Sequence, residues 1–238
     1  MKLRDASHYR YIFFDFDGVI VDSVDAKIAA FGELYDEFGS EVRRKVEAYQ
    51  RAVPGETRFD KIPRFHRDLL GISLTSSQVS EWCDRLSDIV LDQVVASPLL
   101  PDVAQVLGML MRQGTPCFIV SGTPDDELHQ IVQRKGLDPF FKSVHGSPAK
   151  KAAIVREIMS GLGIAAEDCL FIGDAMTDFD CAAECGLGFL GCAPDGKGPF
   201  PQGTHVVSRL GEYFYSACDE RQTIQLLAEP RRAAAGMR

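Results

Sequence analysis

Four short apolar runs, rich in branched and aromatic residues and closed by turn or acidic residues, constrain this chain most: YIFFDFDG (11–18), TPCFIVSG (115–122), DCLFIGD (168–174) and LGFLGC (187–192). A fifth, THVV (204–207), is weaker. Each is too short for an isolated helix and reads as a buried strand. Between the second and third runs lie DDELHQIVQRKG and AKKAAIVREIMSGLG, with apolar residues at three- and four-residue spacing and glycine near the ends. Strands that alternate with such helices predict an α/β fold, a doubly wound parallel sheet covered on both faces.

The stretch 23–97 breaks the alternation. It holds no convincing strand but four helix-like segments: DAKIAAFGELYDEFG, SEVRRKVEAYQRAV, ETRFDKIPRFHRDLLG and TSSQVSEWCDRLSDIVLDQVV. Some 75 residues between the first strand and the next sheet element far exceed an ordinary loop. An inserted all-α subdomain follows. The chain then divides into a core domain (1–22 and 98–228), a helical subdomain (23–97) and a flexible tail (229–238). SPLLPDVAQVLGMLMRQG reads as the return linker and a sheet-covering helix.

The chain has 238 residues and a formal net charge of −8, which argues against nucleic acid as a partner. An anionic substrate would need positive charge gathered locally. No apolar run approaches the ~18 residues of a membrane span, and MKLRDASHYR lacks an apolar signal core, which gives the expectation of a cytoplasmic protein. The seven cysteines (Cys83, Cys117, Cys169, Cys181, Cys185, Cys192, Cys218) are odd in number and form no CxxC pair. They read as small buried hydrophobes in a reducing compartment.

The chemistry clusters at strand ends. Asp15 and Asp17 stand two apart at the end of the first run, a spacing that puts both side chains on one side of the sheet edge. Crowded carboxylates repel unless a cation neutralises them, and a hard cation such as Mg2+ suits oxygen ligands beside a phosphate. Gly18 then allows a tight turn. Ser121, Gly122 and Thr123 offer a hydroxyl and backbone N–H groups where a helix begins, a setting for an anion or simply a helix cap. Asp174 closes another strand, with Asp178 and Asp180 on the next turn; Asp180 reads as a helix cap. Ligands of open α/β sheets bind beyond such carboxyl ends, so one crevice can hold all of these groups. Lys150 and Lys151 start a helix, and only one of two adjacent residues can face that crevice.

In the order DxDG, hydrophobic-Ser-Gly, Lys, GDxxxD, the chain resembles the haloacid dehalogenase superfamily over most of residues 10–210. The insert after the first motif resembles the helical cap of the phosphoglycolate phosphatase and β-phosphoglucomutase branch. The resemblance implies a Rossmann-like core under a mobile cap and Mg2+-dependent hydrolysis of a small phosphomonoester, a sugar phosphate or a phosphoglycolate-like acid. It implies Asp15 as nucleophile and Asp17 as general acid and base. Mg2+ would be held by Asp15, Asp174, the main-chain carbonyl of Asp17 and, as ligand or brace, Asp178. Ser121 and Gly122 would bind the phosphoryl group, with Lys151, or in reserve Lys150, as the motif lysine.

In the insert, Arg58 and Lys61 stand three apart, on one helical face, and form a basic anchor for an anionic substrate or a solvated surface. His66 and Trp82 read as packing residues. Lys27 occupies the place where β-phosphoglucomutases carry a catalytic histidine, which weakens a mutase reading; as an imine-forming lysine it would suit a phosphonate hydrolase. Asp17 argues against a dehalogenase, because a departing halide needs no proton. The alternatives are a sugar phosphomutase and a non-catalytic binding subunit of the same fold.

Overall fold

The computed structural model describes residues 3–53 and 55–215. Cys218, the end of the core domain and the expected tail 229–238 lie outside the described residues. Six strands form one parallel sheet: β1 (Tyr11–Phe14), β2 (Cys117–Pro124), β3 (Ser143–Ser147), β4 (Cys169–Gly173), β5 (Gly188–Cys192) and β6 (Val206–Val207), in the order β3-β2-β1-β4-β5-β6. The sheet reverses direction of growth beside β1, so the carboxyl ends of β1, β2 and β4 flank the switch point where such folds bind ligands.

Alternation along the strands builds two cores. Ile12, Phe14, Ile119, Leu170, Ile172 and Leu190 pack on one face. Phe13, Phe118, Val120, Phe171 and Phe189 pack on the other, with the Phe13 ring 4.9 Å from Phe118 and 6.4 Å from Phe171. Strands buried on both faces read as unbroken apolar runs, as these do.

The helices of the insert are α1 (Val24–Leu34), α2 (Ser40–Ala52), α3 (Arg58–Phe65) and α4 (Ser76–Ala96). A wider helical turn, His66–Leu70, extends α3. Thr75 starts α4 with a capping box: its hydroxyl accepts from the Gln78 N–H while the Gln78 side chain accepts from the Thr75 N–H. The described insert is thus all helical, and it forms a cap over one end of the sheet. Its two ends lie side by side, where Val21 bridges Leu99 antiparallel and the Asp22 N–H donates to the Pro98 carbonyl at 2.9 Å. The core adds α5 (Val103–Gln113), α6 (Asp125–Arg134), α7 (Lys151–Leu162), α8 (Met176–Cys185) and α9 (Leu210–Phe214). No helix among the described residues is long and apolar enough to cross a membrane.

The structure corrects three local expectations. β3 is absent from the sequence reading: it is an edge strand with only β2 as neighbour, and its half-exposed start gives no apolar run. β1 ends at Phe14, so Asp15 and Asp17 are brought together by the turn after the strand and not by strand alternation. Ser121 and Thr123 lie within β2, where the pairing register shifts between Val120 and Pro124, and α6 begins only at Asp125.

Candidate active site

The turn after β1 needs Gly18, whose φ of +76° suits glycine, and whose added Cβ would lie 2.3 Å from Asp174 Oδ2. The turns after β1 and β4 therefore touch. Carboxylate oxygens of Asp15, Asp174 and Asp178 all lie within 4.8 Å of one another. Lys151, from the start of α7, reaches them: its Nζ is 3.0 Å from Asp15 Oδ1 and 2.6 Å from Asp178 Oδ1. Lys150 is exposed. Asp178 is fully buried and also accepts from the Ala175 N–H at 3.1 Å, which braces the β4–α8 turn. Asp180 is exposed inside α8, beyond capping position.

Electrostatics follows from crowding. Burial first, then the charge of Asp178, push Asp15 up to about 7 against the pull of Lys151. Burial, then Asp15 and Asp178, raise Asp174 well above the ordinary carboxylate value. Burial opposes the charge of Lys151 as well, but Asp15 and Asp178 outweigh it and keep the ammonium charged. Asp174 has no ion-pair partner among the described residues.

Asp17 sits in a different setting. Lys27 Nζ lies 2.5 Å from its Oδ2, Thr123 Oγ1 donates to the same oxygen at 3.0 Å, and Ser23 Oγ donates to its Oδ1 at 2.6 Å. Burial works against its charge, but Lys27, Ser23 and Thr123 together hold its pKa below the ordinary value. Four carboxylates thus face two lysines, Lys27 and Lys151, which leaves two negative charges unmatched when all are ionised. A buried excess of that size, on oxygen donors alone, fits a divalent hard cation such as Mg2+.

These groups open into a cavity of about 100 Å3 beneath the cap, shared by Asp15, Asp17, Ser121, Gly122, Thr123 and Asp174 with Lys27, Gln50, Gly55, Arg58 and Lys61. Ser121 is buried, and its hydroxyl accepts from the Thr123 N–H at 3.1 Å. Gly55, at φ +80°, carries the cap loop onto the core; a Cβ there would lie 2.2 Å from Thr177 Oγ1.

Arg58 is not a free cation. Its guanidinium grips Glu127 of α6, with Nη1 2.8 Å from Oε2 and Nη2 2.9 Å from Oε1, and both side chains are buried. Its charge is matched within the protein, although its side chain still lines the cavity where an anionic substrate is expected to anchor. Lys61 is buried too, and donates to Gln50 Oε1 at 2.6 Å. Lys27 is committed to Asp17 and Thr123, a setting for an ion pair and not for an imine. His66 is enclosed by Tyr35, Phe38 and Trp82 and is not among the residues that line the cavity.

The model of haloacid dehalogenase-like hydrolases matches residues 9–186, which include every motif residue at this site. The chain belongs to the haloacid dehalogenase-like hydrolase family. Among proteins of known name, it is 25% identical over 194 residues to phosphoglycolate phosphatase 1 of Pseudomonas aeruginosa, across 75% of this chain and 67% of that protein. A haloacid dehalogenase-like hydrolase from Bacteroides fragilis superimposes with a TM-score of 0.69 at 21% identity, covering 86% of this chain and 99% of the other. A β-phosphoglucomutase from Clostridium difficile gives 0.70 at 14% identity, covering 92% and 96%. These likenesses establish for this haloacid dehalogenase-like hydrolase the α/β core with its helical cap.

Ser23, Gln50 and Glu127 are absent from the sequence reading, and Lys27 is there without its role as partner of Asp17. Ser23 and Lys27 are four apart, so both can turn to Asp17, and that spacing after DxDG is a usable signal. Gln50 lies four after Val46, the other buried residue of α2, which marked it as inward-facing. Glu127 looked like one of three acids in the first turn of α6, and nothing local singled it out.

Proposed function

We propose that this protein is a Mg2+-dependent phosphomonoester hydrolase acting on a small phosphorylated metabolite, a sugar phosphate or a phosphoglycolate-like acid, through an aspartyl-phosphate on Asp15. The observation that carries the reading is the convergence of Asp15, Asp174 and Asp178 on Lys151, in a cavity walled by the Ser121 and Thr123 hydroxyls. Phosphoryl transfer needs charge neutralisation and in-line positioning above all. The named phosphatase relative supports the same reaction class. The cavity, at about 100 Å3, is far below the ~300–1,000 Å3 of drug-sized ligands and favours a small ester over a nucleotide.

The carboxylate of Asp15 attacks phosphorus while the bond to the substrate's alcohol oxygen breaks, and Asp17 gives that oxygen a proton. Water then attacks the phosphoryl group, the Asp15–phosphorus bond breaks, and Asp17 recovers a proton from the water. The contacts of Asp17 with Lys27 and Thr123 favour its carboxylate form, the one needed to activate water. Ser121 and the Gly122 backbone hold phosphoryl oxygens, and Lys151 steadies Asp15 through its ion pair. Asp15, Asp174 and Asp178, with the Asp17 carbonyl, would hold Mg2+, which when bound would supply positive charge to the phosphoryl oxygens.

The test is hydrolysis of p-nitrophenyl phosphate with Mg2+, with and without EDTA, beside Asp15→Asn. Metal-dependent phosphate release that the variant lacks supports the reading; no release above the variant refutes it. Glucose 1-phosphate separates the outcomes further: inorganic phosphate indicates a hydrolase, the 6-phosphate isomer a mutase.

A further inference from the structure

Three cations line the cavity from the cap: Lys27, Arg58 and Lys61. Lys27 faces Asp17, and Arg58 faces Glu127. Lys61 alone has no carboxylate within ion-pair distance among the described residues, although it is only 4% exposed. Among the described residues its ammonium donates to Gln50 Oε1 and otherwise faces only the Phe31 ring, 5.9 Å from the centroid. Gln50 is 8% exposed, and its Nε2 is buried with no partner. A buried amide nitrogen without an acceptor costs free energy, and so does a buried ammonium without a counter-charge.

The two defects are adjacent and face one cavity. Gln50 Oε1 is occupied by Lys61, so the pair presents donors only: the two N–H groups of Nε2 and the remaining N–H groups of Nζ. Such a surface suits a group that only accepts hydrogen bonds and carries negative charge. Glu56 also lines the cavity, but its carboxylate is already engaged by Arg64 and Tyr49, and a sugar hydroxyl fits less well because it brings no charge to match Lys61. A second phosphate is bulky for a cavity of about 100 Å3 that must already admit the phosphoryl group. A planar carboxylate meets both demands.

We propose that Gln50 and Lys61 form a recognition site for a carboxylate borne by the substrate, which makes the preferred substrate a phosphorylated carboxylic acid and not a sugar phosphate. This rests on the hydrolase reading above. Gln50 and Lys61 determine specificity and take no part in bond breaking, while Arg58 holds the cap that carries them.

The experiment compares 2-phosphoglycolate and 3-phosphoglycerate with 2-hydroxyethyl phosphate and glucose 6-phosphate, in wild type, Gln50→Glu and Lys61→Met. Wild type is expected to favour at least one carboxylate ester in kcat/KM by about 10- to 100-fold, the usual worth of hydrogen bonds to a charged group. Gln50→Glu, near-isosteric but acidic, is expected to lower the ratio of carboxylate ester to 2-hydroxyethyl phosphate by about tenfold or more, through KM. A wild type that uses 2-hydroxyethyl phosphate or glucose 6-phosphate as well as both acids overturns the proposal, as does an unchanged ratio in both variants. Failure of wild type to hydrolyse any ester would instead sink the hydrolase reading. The carboxylate site is then judged by calorimetry with 2-phosphoglycolate: binding lost in Gln50→Glu supports it, and equal binding in variant and wild type refutes it. Thermal melts of each variant separate these effects from misfolding.

Discussion

Arg58 of the cap and Glu127 of the core meet as a two-pronged ion pair, 2.8 and 2.9 Å long, with side chains only 5% and 4% exposed. Such a pair locks the cap onto the core more than it stabilises the fold, because desolvation offsets much of the attraction. Removing one partner is another matter. Glu127→Gln leaves the guanidinium buried without a counter-charge, at a cost of about 3–5 kcal/mol if the cap stays shut. We expect the cap to open instead, with faster amide exchange in α3 and α4 and a lower Tm. Unchanged exchange in those helices would contradict the locking role.

Asp15→Asn should abolish turnover while leaving the protein folded. The side chain stands among Asp17, Asp174 and Asp178, so a neutral amide of nearly the same shape relieves repulsion. In metal-free buffer its Tm should equal or exceed that of wild type. A marked loss of Tm would mean that Asp15 is chiefly a structural partner of Lys151.

Mg2+ should raise the Tm of wild type in proportion to the logarithm of its concentration, by about 2.7 kcal/mol of added stability at 100 times the dissociation constant. Asp174 is the acid without an ion-pair partner among the described residues. Asp174→Asn should therefore remove most of that shift. An undiminished Mg2+ response in this variant would place the ion elsewhere.

Lys61 gives a pH signature. Burial draws its pKa down to about 8, Lys27 and Arg64 push the same way, and Glu56 opposes them. Its charge is present at pH 7 and lost as the pH rises through about 8. The preference for a carboxylate ester over 2-hydroxyethyl phosphate should fade across that range, and the ratio cancels effects on the shared chemistry. Stability moves the other way: the unfolded lysine keeps its proton up to about 10.5, so the penalty that the buried charge places on folding is relieved as pH climbs from about 8 towards 10.5. Lys61→Met should flatten both profiles.

Gly55→Ala should separate closure from folding. The loop residue has φ +80°, and a methyl group would collide with Thr177 Oγ1 and crowd Ala175 Cβ. The expected result is a fall in kcat/KM of about tenfold or more with a modest change in Tm, since a strained conformation costs roughly 1–3 kcal/mol. Wild-type kinetics would show that this contact does not govern closure.

The strands that carry the reactive acids were legible because they are buried on both faces, which leaves the apolar runs YIFF, CFIV and CLFIG in the sequence. β3 was not, because an edge strand such as SVHGS needs no such run. Motif spacing brought Asp15, Asp17, Ser121, Lys151 and Asp174 to one end of the sheet. It could not foresee Arg58 pairing with Glu127, 69 residues away, since no local pattern encodes that contact. The partners of Asp17 were half visible: Ser23 and Lys27 share a helical face, whereas Thr123 comes from another strand 106 residues on. Chemistry that depends on one turn was readable, and chemistry that depends on two elements docking was not.

Val21 and Leu99 sit side by side where the chain departs for α1 and comes back. The sheet therefore needs nothing from the intervening helices to bring its own ends together, and a tight turn could bridge the gap. A lid attached in this way is a cassette. A different lid on the same two ends would leave Asp15, Asp174, Asp178 and Lys151 in place, and would have to bring its own partners for Asp17 in the stead of Ser23 and Lys27.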